Sequence, residues 1–423
     1  MKYQEALDFI SKTASLGSKL GLERLQNLLV LLGHPEEKLK FIHVAGTNGK
    51  GSTSAMLSSI LSCAGYKTGL YTSPYLEVMN EQIRINGEMI DNEAFVNNVM
   101  LVKEAVAKLP EEDCPTEFEL ITAIAFNYFL AQRCDIVILE TGMGGEGDAT
   151  NVIPTPLVSV LTNIGLDHTA ILGDTLTEIA TCKAGIIKEN GVVVSYEQVV
   201  EVEEIIRNRC DEKNAKYVKA CFELIQVHEE FLSMQKFSYQ SFDNISLPLI
   251  GEHQRKNAAV ALEVIMQLRT QGYKILDEMV KHGLFQVSWP ARFEILAKKP
   301  LVILDGGHNE QCIDEVVKVL SKYVPDKKVI FVIGVMADKN YKGMIAKLIP
   351  IAKHFYTVKP DNQRALDAID LAMAIHDLNG QASAECSVEN GIMAALESAQ
   401  PCDVICILGS LYMASKVREC FMA

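Results

Sequence analysis

The sequence predicts an α/β protein of two domains, each built on a largely parallel sheet, and three observations carry that reading. The first is length: 423 residues exceed what one hydrophobic core usually serves, so two compact units are expected. The second is an alternation of short β-rich runs with helical patterns from residue 41 onward. FIHVA is followed by a helix through Ile60, and DIVILE and LVSVLT come further on, the rhythm of a parallel sheet with crossover helices. The third is a second series after Pro300, with LVILD, VIFVI, HFYTV and DVICIL separated by helical stretches, which predicts a smaller doubly wound domain.

Composition supports a packed protein and excludes some partners. Apolar residues make up 48% and charged residues 22%, a balance that provides a sizeable core. The formal charge of −14 repels a phosphate backbone, and no Lys/Arg run interleaves with aromatics, so nucleic acid is not an expected partner. Eleven cysteines run from Cys63 to Cys420 without C-x-x-C spacing. That fits reduced thiols better than a disulfide frame or a zinc site, and points to the cytoplasm. The opening MKYQEALDFISKTASLGSKLGLERL is polar and helical in pattern and lacks an apolar signal core, and no later stretch has the length of a membrane span.

Between residues 190 and 250 the pattern predicts a strand at VVVSYE, a charged amphipathic helix from about Val199, and a polar antiparallel piece around KFSYQSFDNISLPL. That region offers no recognisable chemistry. LAKKP marks a linker, so the domains are expected to be 1–297 and 298–423.

The motif richest in chemistry is FIHVAGTNGKGSTSAML: an apolar strand, a glycine-rich turn, and a helix that starts at once. Gly46, Gly49 and Gly51 let backbone N–H groups approach phosphate oxygens, with Thr47 and Asn48 completing the loop. The helix N-terminus adds its dipole and Lys50 a point charge. Ser52 or Thr53 can hold Mg²⁺. Glu140, at the C-terminal end of DIVILE, sits where doubly wound sheets bind ligands and can complete a magnesium site. Past the next strand come Asn163, Asp167 and His168, with His168 a candidate second metal ligand. Lys183 follows among small and apolar residues, where a lysine needs a partner or a changed charge. GEHQRKNAAVALE opens a helix whose spacing puts His253 and Asn257 on one face, and Asn257 could read an adenine or a phosphate. WPARFEIL supplies Arg292, and LVILDGGHN supplies Asp305, His308 and Asn309.

Taken in order, G-T-N-G-K-G-S, T-S-P, D-A-T-N, D-H-T, K-A-G-I-I-K, H-Q-x-x-N-A, W-P-x-R and D-G-x-H-N closely resemble folylpolyglutamate and dihydrofolate synthases of the Mur ligase superfamily. The late GSLYMAS, Gly409 to Ser415, adds to the match. The resemblance implies an N-terminal P-loop ATPase-like domain with a mostly parallel sheet and a smaller C-terminal Rossmann-like domain, with ATP held between them. It assigns Lys50 and Ser52 to the phosphate loop, Ser73 and Glu140 to a first magnesium, and His168 to a second. Lys183 matches a carbamylated (N-carboxylated) lysine, and Asn257 and Arg292 match nucleotide contacts, Arg292 lying toward the γ-phosphate. Asp305 and His308 match residues near ATP and incoming glutamate. On the substrate side it implies Arg84, Phe118, Asp148, Asp167, His308 and Ser410.

The implied reaction is attack of a folate carboxylate on the γ-phosphate of MgATP, followed by displacement of phosphate by the amine of L-glutamate. Dihydropteroate is implied as a further acceptor, and a monomer is expected. The chain departs from the family in places. An acid, Glu146, stands where G-G-R-L-D-A-T-N has arginine. The common E-R pair reads Glu81-Gln82, with Arg84 two residues on, and Tyr75 replaces a histidine. Two rival readings are a cell-wall amino-acid ligase of the same superfamily and a nucleotide-binding module without ligase activity. The first needs an extra domain that the roughly 40 residues before the loop are too few to form, and the second conflicts with so complete a set of polar groups.

Overall fold

The computed structural model describes residues 1–13, 17, 20–325 and 327–422. The opening helical pattern resolves into helices Tyr3–Ser11 and Glu23–Leu31, and its residues 14–16, 18 and 19 lie outside the described residues. The first sheet comprises β1 (Phe41–Ala45), β2 (Thr68–Tyr71), β3 (Ile83–Ile85), β4 (Glu88–Met89), β5 (Ile136–Glu140), β6 (Val158–Leu161), β7 (Val192–Ser195) and β8 (Lys216–Lys219). Its order is β4-β3-β2-β5-β1-β6-β7-β8, parallel from β2 to β8 with β3 and β4 antiparallel at one edge. Every residue of β1 and β5 is buried, as parallel strands covered on both faces require.

Helices Asn92–Val106 and Glu117–Ala131 bring Phe95, Val99, Phe126 and Phe129 into one core with Phe41, Val137 and Leu139. Each has a built N-terminus: Asp91 accepts from Ala94 N at 2.8 Å, and Thr116 and Glu119 form a reciprocal capping box. Helix Leu176–Ala184 contributes Ile179, Ala180 and Ala184 to a second cluster with Ala45, Leu161 and Val193. Both clusters lie against strands whose C-terminal ends carry the polar groups.

A three-stranded sheet follows, β9 (Ile225–Phe231), β10 (Met234–Tyr239) and β11 (Phe242–Leu247), in the order β11-β10-β9. Its two-residue connections make neighbours antiparallel, as KFSYQSFDNISLPL suggests. The last sheet comprises β12 (Glu294–Lys298), β13 (Leu301–Leu304), β14 (Val329–Ile333), β15 (Ala352–Thr357), β16 (Ala382–Ala384) and β17 (Val404–Leu408). Its order is β12-β13-β17-β14-β15-β16, parallel except for the antiparallel edge strand β12. Phe331 stacks on Phe355 with ring centroids 5.3 Å apart in a core shared with Ile313, Leu320 and Ile345. The fold is thus the α/β class expected, with a large and a smaller mostly parallel sheet.

Packing divides the chain into two compact units. One is Met1–His228 with Lys236–Leu247 and Gln254–Val287, and the other is Glu229–Gln235 and Pro248–His253 with the chain from Ser288 onward. The division anticipated at 297/298 falls inside β12, whose pairing with β13 ties it to the second unit. Among the described residues no helix is long and apolar enough to cross a membrane, and no disulfide joins any of the eleven cysteines.

Candidate active site

β1 ends at Ala45, and the chain turns through Gly46–Gly49 into helix Lys50–Cys63. Two of the glycines are dictated by their surroundings. Gly46 has φ 154°, and a Cβ there would lie 1.9 Å from Thr162 Oγ1; Gly49 has φ 89°, and a Cβ there would lie 2.5 Å from Asn257 Oδ1. The loop is braced because β1 and β6 are parallel neighbours with Ala45 opposite Leu161, so the segments that follow them leave at the same edge. Thr47 N and Asn48 N both donate to Asn163 O, at 2.7 and 3.2 Å. Thr47 Oγ1 donates to Gly165 O at 2.9 Å and accepts from Gly165 N at 3.1 Å.

Thr53 N donates to Gly49 O at 2.9 Å, so the amides of Lys50, Gly51 and Ser52 precede the first intrahelical bond. That is where a helix N-terminus receives an anion. Lys50 Nζ folds back onto Gly46 O and Thr47 O, at 3.1 and 3.3 Å. The buried Ser52 accepts from Gln254 Nε2 at 3.3 Å, and Asn257 Nδ2 donates to Gln254 Oε1 at 3.2 Å. His253 instead lies 3.3 Å from Glu315, so Gln254, not His253, works with Asn257.

Lys183, on helix Leu176–Ala184, is only 4% exposed and donates to Gly46 O at 2.9 Å. Burial, and then the charge of Lys50, push its amine down to about 7, although Asp167 and Asp148 pull the other way. It is therefore no surface lysine. Asp148 is buried too. Its Oδ2 accepts from Met143 N at 2.7 Å, and its Oδ1 accepts from Thr150 N at 3.0 Å and Thr150 Oγ1 at 2.6 Å. Burial raises its carboxyl, while these bonds and Lys50 oppose the rise.

Glu140 is buried at the end of β5, in register with Val44 of β1, so it flanks the loop. Asp167 Oδ1 accepts from His168 N at 2.8 Å, and His168 has φ 51° and an exposed side chain at the start of the short helix Thr169–Leu172. Ser52 and Glu140 supply hard oxygen donors and fit magnesium, which takes one or two protein oxygens beside phosphate and water. An exposed imidazole is a softer donor and adds less to that fit.

Tyr71 of β2 is in register with Leu139, which places the half-buried Ser73 beyond the strand end that neighbours Glu140. Phe118 packs under Gly142, where a Cβ would lie 2.6 Å from its ring. Arg84 donates to Glu81 O at 2.9 Å and lies 3.6 Å from the Glu81 carboxylate. Gln82 is buried. Glu146, which replaces an arginine of the family pattern, is exposed and 3.8 Å from Arg209.

The second unit carries its own cluster. β13 and β17 run parallel with Leu304 opposite Ile407, so Asp305 and Ser410 emerge at one end of that sheet. Asp305 accepts from Phe293 N at 2.9 Å and Gly307 N at 2.7 Å, and His308 Nδ1 lies 2.9 Å from Gly306 O. Arg292 Nη1 donates to Ala291 O at 2.9 Å and crowds Gly306, where a Cβ would lie 2.5 Å from it. Ser410 Oγ accepts from Tyr412 N at 3.2 Å.

Sequence reasoning passed over Thr162, His43 and Thr150, and it took in Gln254 only as part of H-Q-x-x-N-A, without a role. Thr162 becomes visible only once strand register is known, and the partner of Gln254 only once helix packing is known. The signal for His43 was present: it is the polar residue inside the apolar run FIHVA, immediately before the loop.

Comparison with known proteins agrees with this architecture. Residues 44–265 match the Mur ligase middle domain and residues 291–411 the Mur ligase glutamate ligase domain. The chain is 37% identical over 427 residues to a dihydrofolate synthase/folylpolyglutamate synthase from Bacillus subtilis, covering 99% of this chain and 98% of that one. Among solved structures it is similar to Mycobacterium tuberculosis folylpolyglutamate synthase complexed with ADP, with a TM-score of 0.92 and 29% identity over 100% of this chain and 99% of that one. It is similar also to an FPGS–AMPPCP–folate complex, with a TM-score of 0.86 and 31% identity over 100% of both chains. With both matched domains present and the similarity running through its whole length, the chain belongs to the folylpolyglutamate synthase/dihydrofolate synthase family of Mur ligases and is an ATP-dependent ligase.

Proposed function

We propose that this chain activates a carboxylate of a folate with ATP, as an acyl phosphate, and joins it to the amine of L-glutamate, with dihydropteroate as a second acceptor. The observation that carries the reading is the braced glycine loop that opens helix Lys50–Cys63 with Lys50 and Lys183 beside it, a site shaped for the phosphates of a nucleotide. Both activities appear in the name of the Bacillus subtilis relative, and a related structure holds a nucleotide analogue together with folate.

A carboxylate does not condense with an amine in water unless its oxygen is first made a leaving group, so the work of the site is positioning and charge neutralisation. Lys50 offsets charge on the transferring phosphoryl group, and the amides at the start of its helix orient the phosphates. Asn257 is assigned to the nucleotide. Arg292 is assigned to the γ-phosphate, and Asp305, His308 and Ser410 to the incoming glutamate and nucleotide. Arg84, Phe118, Asp148 and Asp167 are assigned to the acceptor side. Magnesium, when bound, supplies charge neutralisation on the phosphate oxygens; Ser52, Ser73 and Glu140 would hold one ion and His168 a second.

Lys183 is proposed to be N-carboxylated. With its amine pushed down to about 7, the ammonium gives up one proton to leave a neutral amine, which takes up carbon dioxide with loss of a second proton, so that a buried cation becomes an anion. The expected form is a monomer in a reducing, cytoplasmic setting, in keeping with cysteines that form no disulfide among the described residues.

The test is incorporation of labelled glutamate by the purified chain with MgATP, comparing tetrahydrofolate monoglutamate, dihydropteroate and no acceptor. Incorporation into both acceptors is expected. Incorporation into tetrahydrofolate alone removes the second activity, and incorporation into neither removes the folate reading.

A further inference from the structure

His43 is fully buried in β1, three residues before Gly46, and burial pushes its imidazole down to about 3, so the ring is neutral. Its Nε2 lies 2.8 Å from Thr150 Oγ1, and Thr150 Oγ1 lies 2.6 Å from Asp148 Oδ1. The proton on each of these contacts can be deduced. Both oxygens of Asp148 accept from backbone amides, Thr150 N and Met143 N, so the group is held as a carboxylate. A hydroxyl 2.6 Å from a carboxylate oxygen must donate to it. Thr150 has one hydroxyl proton, so towards His43 it can only accept. The neutral ring is therefore protonated on Nε2 and bare on Nδ1, and the buried Nδ1 has no hydrogen-bond partner among the described residues.

This places a one-way relay beneath the phosphate loop. Nε2–H of His43 points at Thr150, the Thr150 hydroxyl points at Asp148, and the Asp148 charge acts on both Lys50 and Lys183. We propose that His43 is a positioning residue for the ligase reaction: its Nε2–H fixes the direction of the Thr150 hydroxyl, which holds Asp148 anionic beside Lys50. A histidine kept merely for packing would be replaceable by an apolar side chain of similar volume. A donor in a relay would not.

The catalytic arm of the test rests on the proposed ligase activity, and the spectroscopic arm does not. Glutamate incorporation is compared for wild type, His43→Met, His43→Gln, Thr150→Val, Thr150→Ser and the His43→Met/Thr150→Val double variant. Glutamine carries an amide N–H near the reach of Nε2, and methionine fills space without a donor. Thr150→Val is expected to lower kcat/KM by about tenfold or more, the worth of one hydrogen bond to a charged group, and His43→Met by about three- to tenfold, the worth of a neutral one, while His43→Gln and Thr150→Ser keep most of it. The double variant should be no worse than Thr150→Val, because both changes break one chain. Wild-type activity in His43→Met, glutamine faring no better than methionine, or additive losses overturns the relay.

If His43→Met does not fold, the Thr150 pair and the second arm still decide. In the full wild-type chain without substrates, labelled with ¹⁵N-histidine and assigned by difference from His43→Gln, His43 should show a protonated Nε2 and a bare Nδ1. A protonated Nδ1 overturns the proposal. Absence of wild-type glutamate incorporation counts against the ligase reading and leaves the tautomer result standing.

Discussion

Replacing Lys183 by methionine should make the nucleotide-free chain more stable while removing its activity. The fall of the Lys183 amine from its ordinary 10.5 to about 7 corresponds to about 5 kcal/mol that the fold gives up by burying the group. Against this, Gly46 O loses the bond it accepts at 2.9 Å, worth about 1–3 kcal/mol once the carbonyl is left unsatisfied. Methionine fills similar space without charge, so the balance is a gain of about 2–4 kcal/mol near neutral pH. The sign depends on pH in a defined way. Between about 7 and 10.5 the unfolded chain holds a proton that the folded one has released, so wild-type stability rises with pH through that window. The penalty is full below it and absent above it. Chemical denaturation in carbon dioxide-free buffer should show a clear Lys183→Met advantage near neutrality, shrinking to about zero near pH 9.5. A difference that ignores pH, or a variant less stable than wild type at neutrality, refutes the reasoning.

Turnover probes the same residue differently: Lys183→Ala should abolish most glutamate incorporation, and added small carboxylic acids should restore part of it if an N-carboxylated lysine is required. Full turnover in Lys183→Ala removes the carbamate. Arg292→Ala should lower ATP-dependent incorporation by about 10²–10³, the scale of one lost electrostatic partner in the transition state; an unchanged rate shows the residue misassigned. Gly49→Ala meets both a left-handed φ and Asn257 Oδ1 at 2.5 Å, so nucleotide affinity should fall about tenfold or more, given the roughly 1–2 kcal/mol of left-handed strain. Equal affinity in a titration with a nucleotide analogue would show that the loop can yield. Phe126→Ala empties a fully buried site 5.5 Å from the Phe41 ring; a cost of about 3–5 kcal/mol is expected, and a change near zero would mean that the core refills itself.

What could be read from the sequence was what depends on local chemistry. β1, β5 and β6 are predominantly apolar runs because parallel strands are covered on both faces, and the glycine loop announces itself by composition. β12, EILAK, was invisible as a strand because none of its residues is fully buried and it pairs along a sheet edge, so the anticipated domain boundary fell inside it. β16 has three residues, too few for any periodicity. Lys183 could be singled out as a lysine needing a partner, yet Gly46 O as that partner depends on how helix Leu176–Ala184 packs on the sheet. The difference between His253 and Gln254 was equally hidden. Helical spacing puts His253 and Asn257 on one face, and only the packed structure shows His253 engaged with Glu315.

The bracing of the loop has a consequence for how it would grip a nucleotide. Thr47 N and Asn48 N are both committed to Asn163 O, so these two amides serve the protein's own backbone and leave the mould for phosphate to the turn of helix beginning at Lys50. The threonine and asparagine act as a keystone, and the recognition surface is displaced toward the glycine and serine that follow. Such a mould is held in shape by the protein's own backbone bonds. Selectivity then comes from fit to a fixed outline, and changes at Asn163 or Gly165, residues that need never meet the nucleotide, would blur that outline from behind.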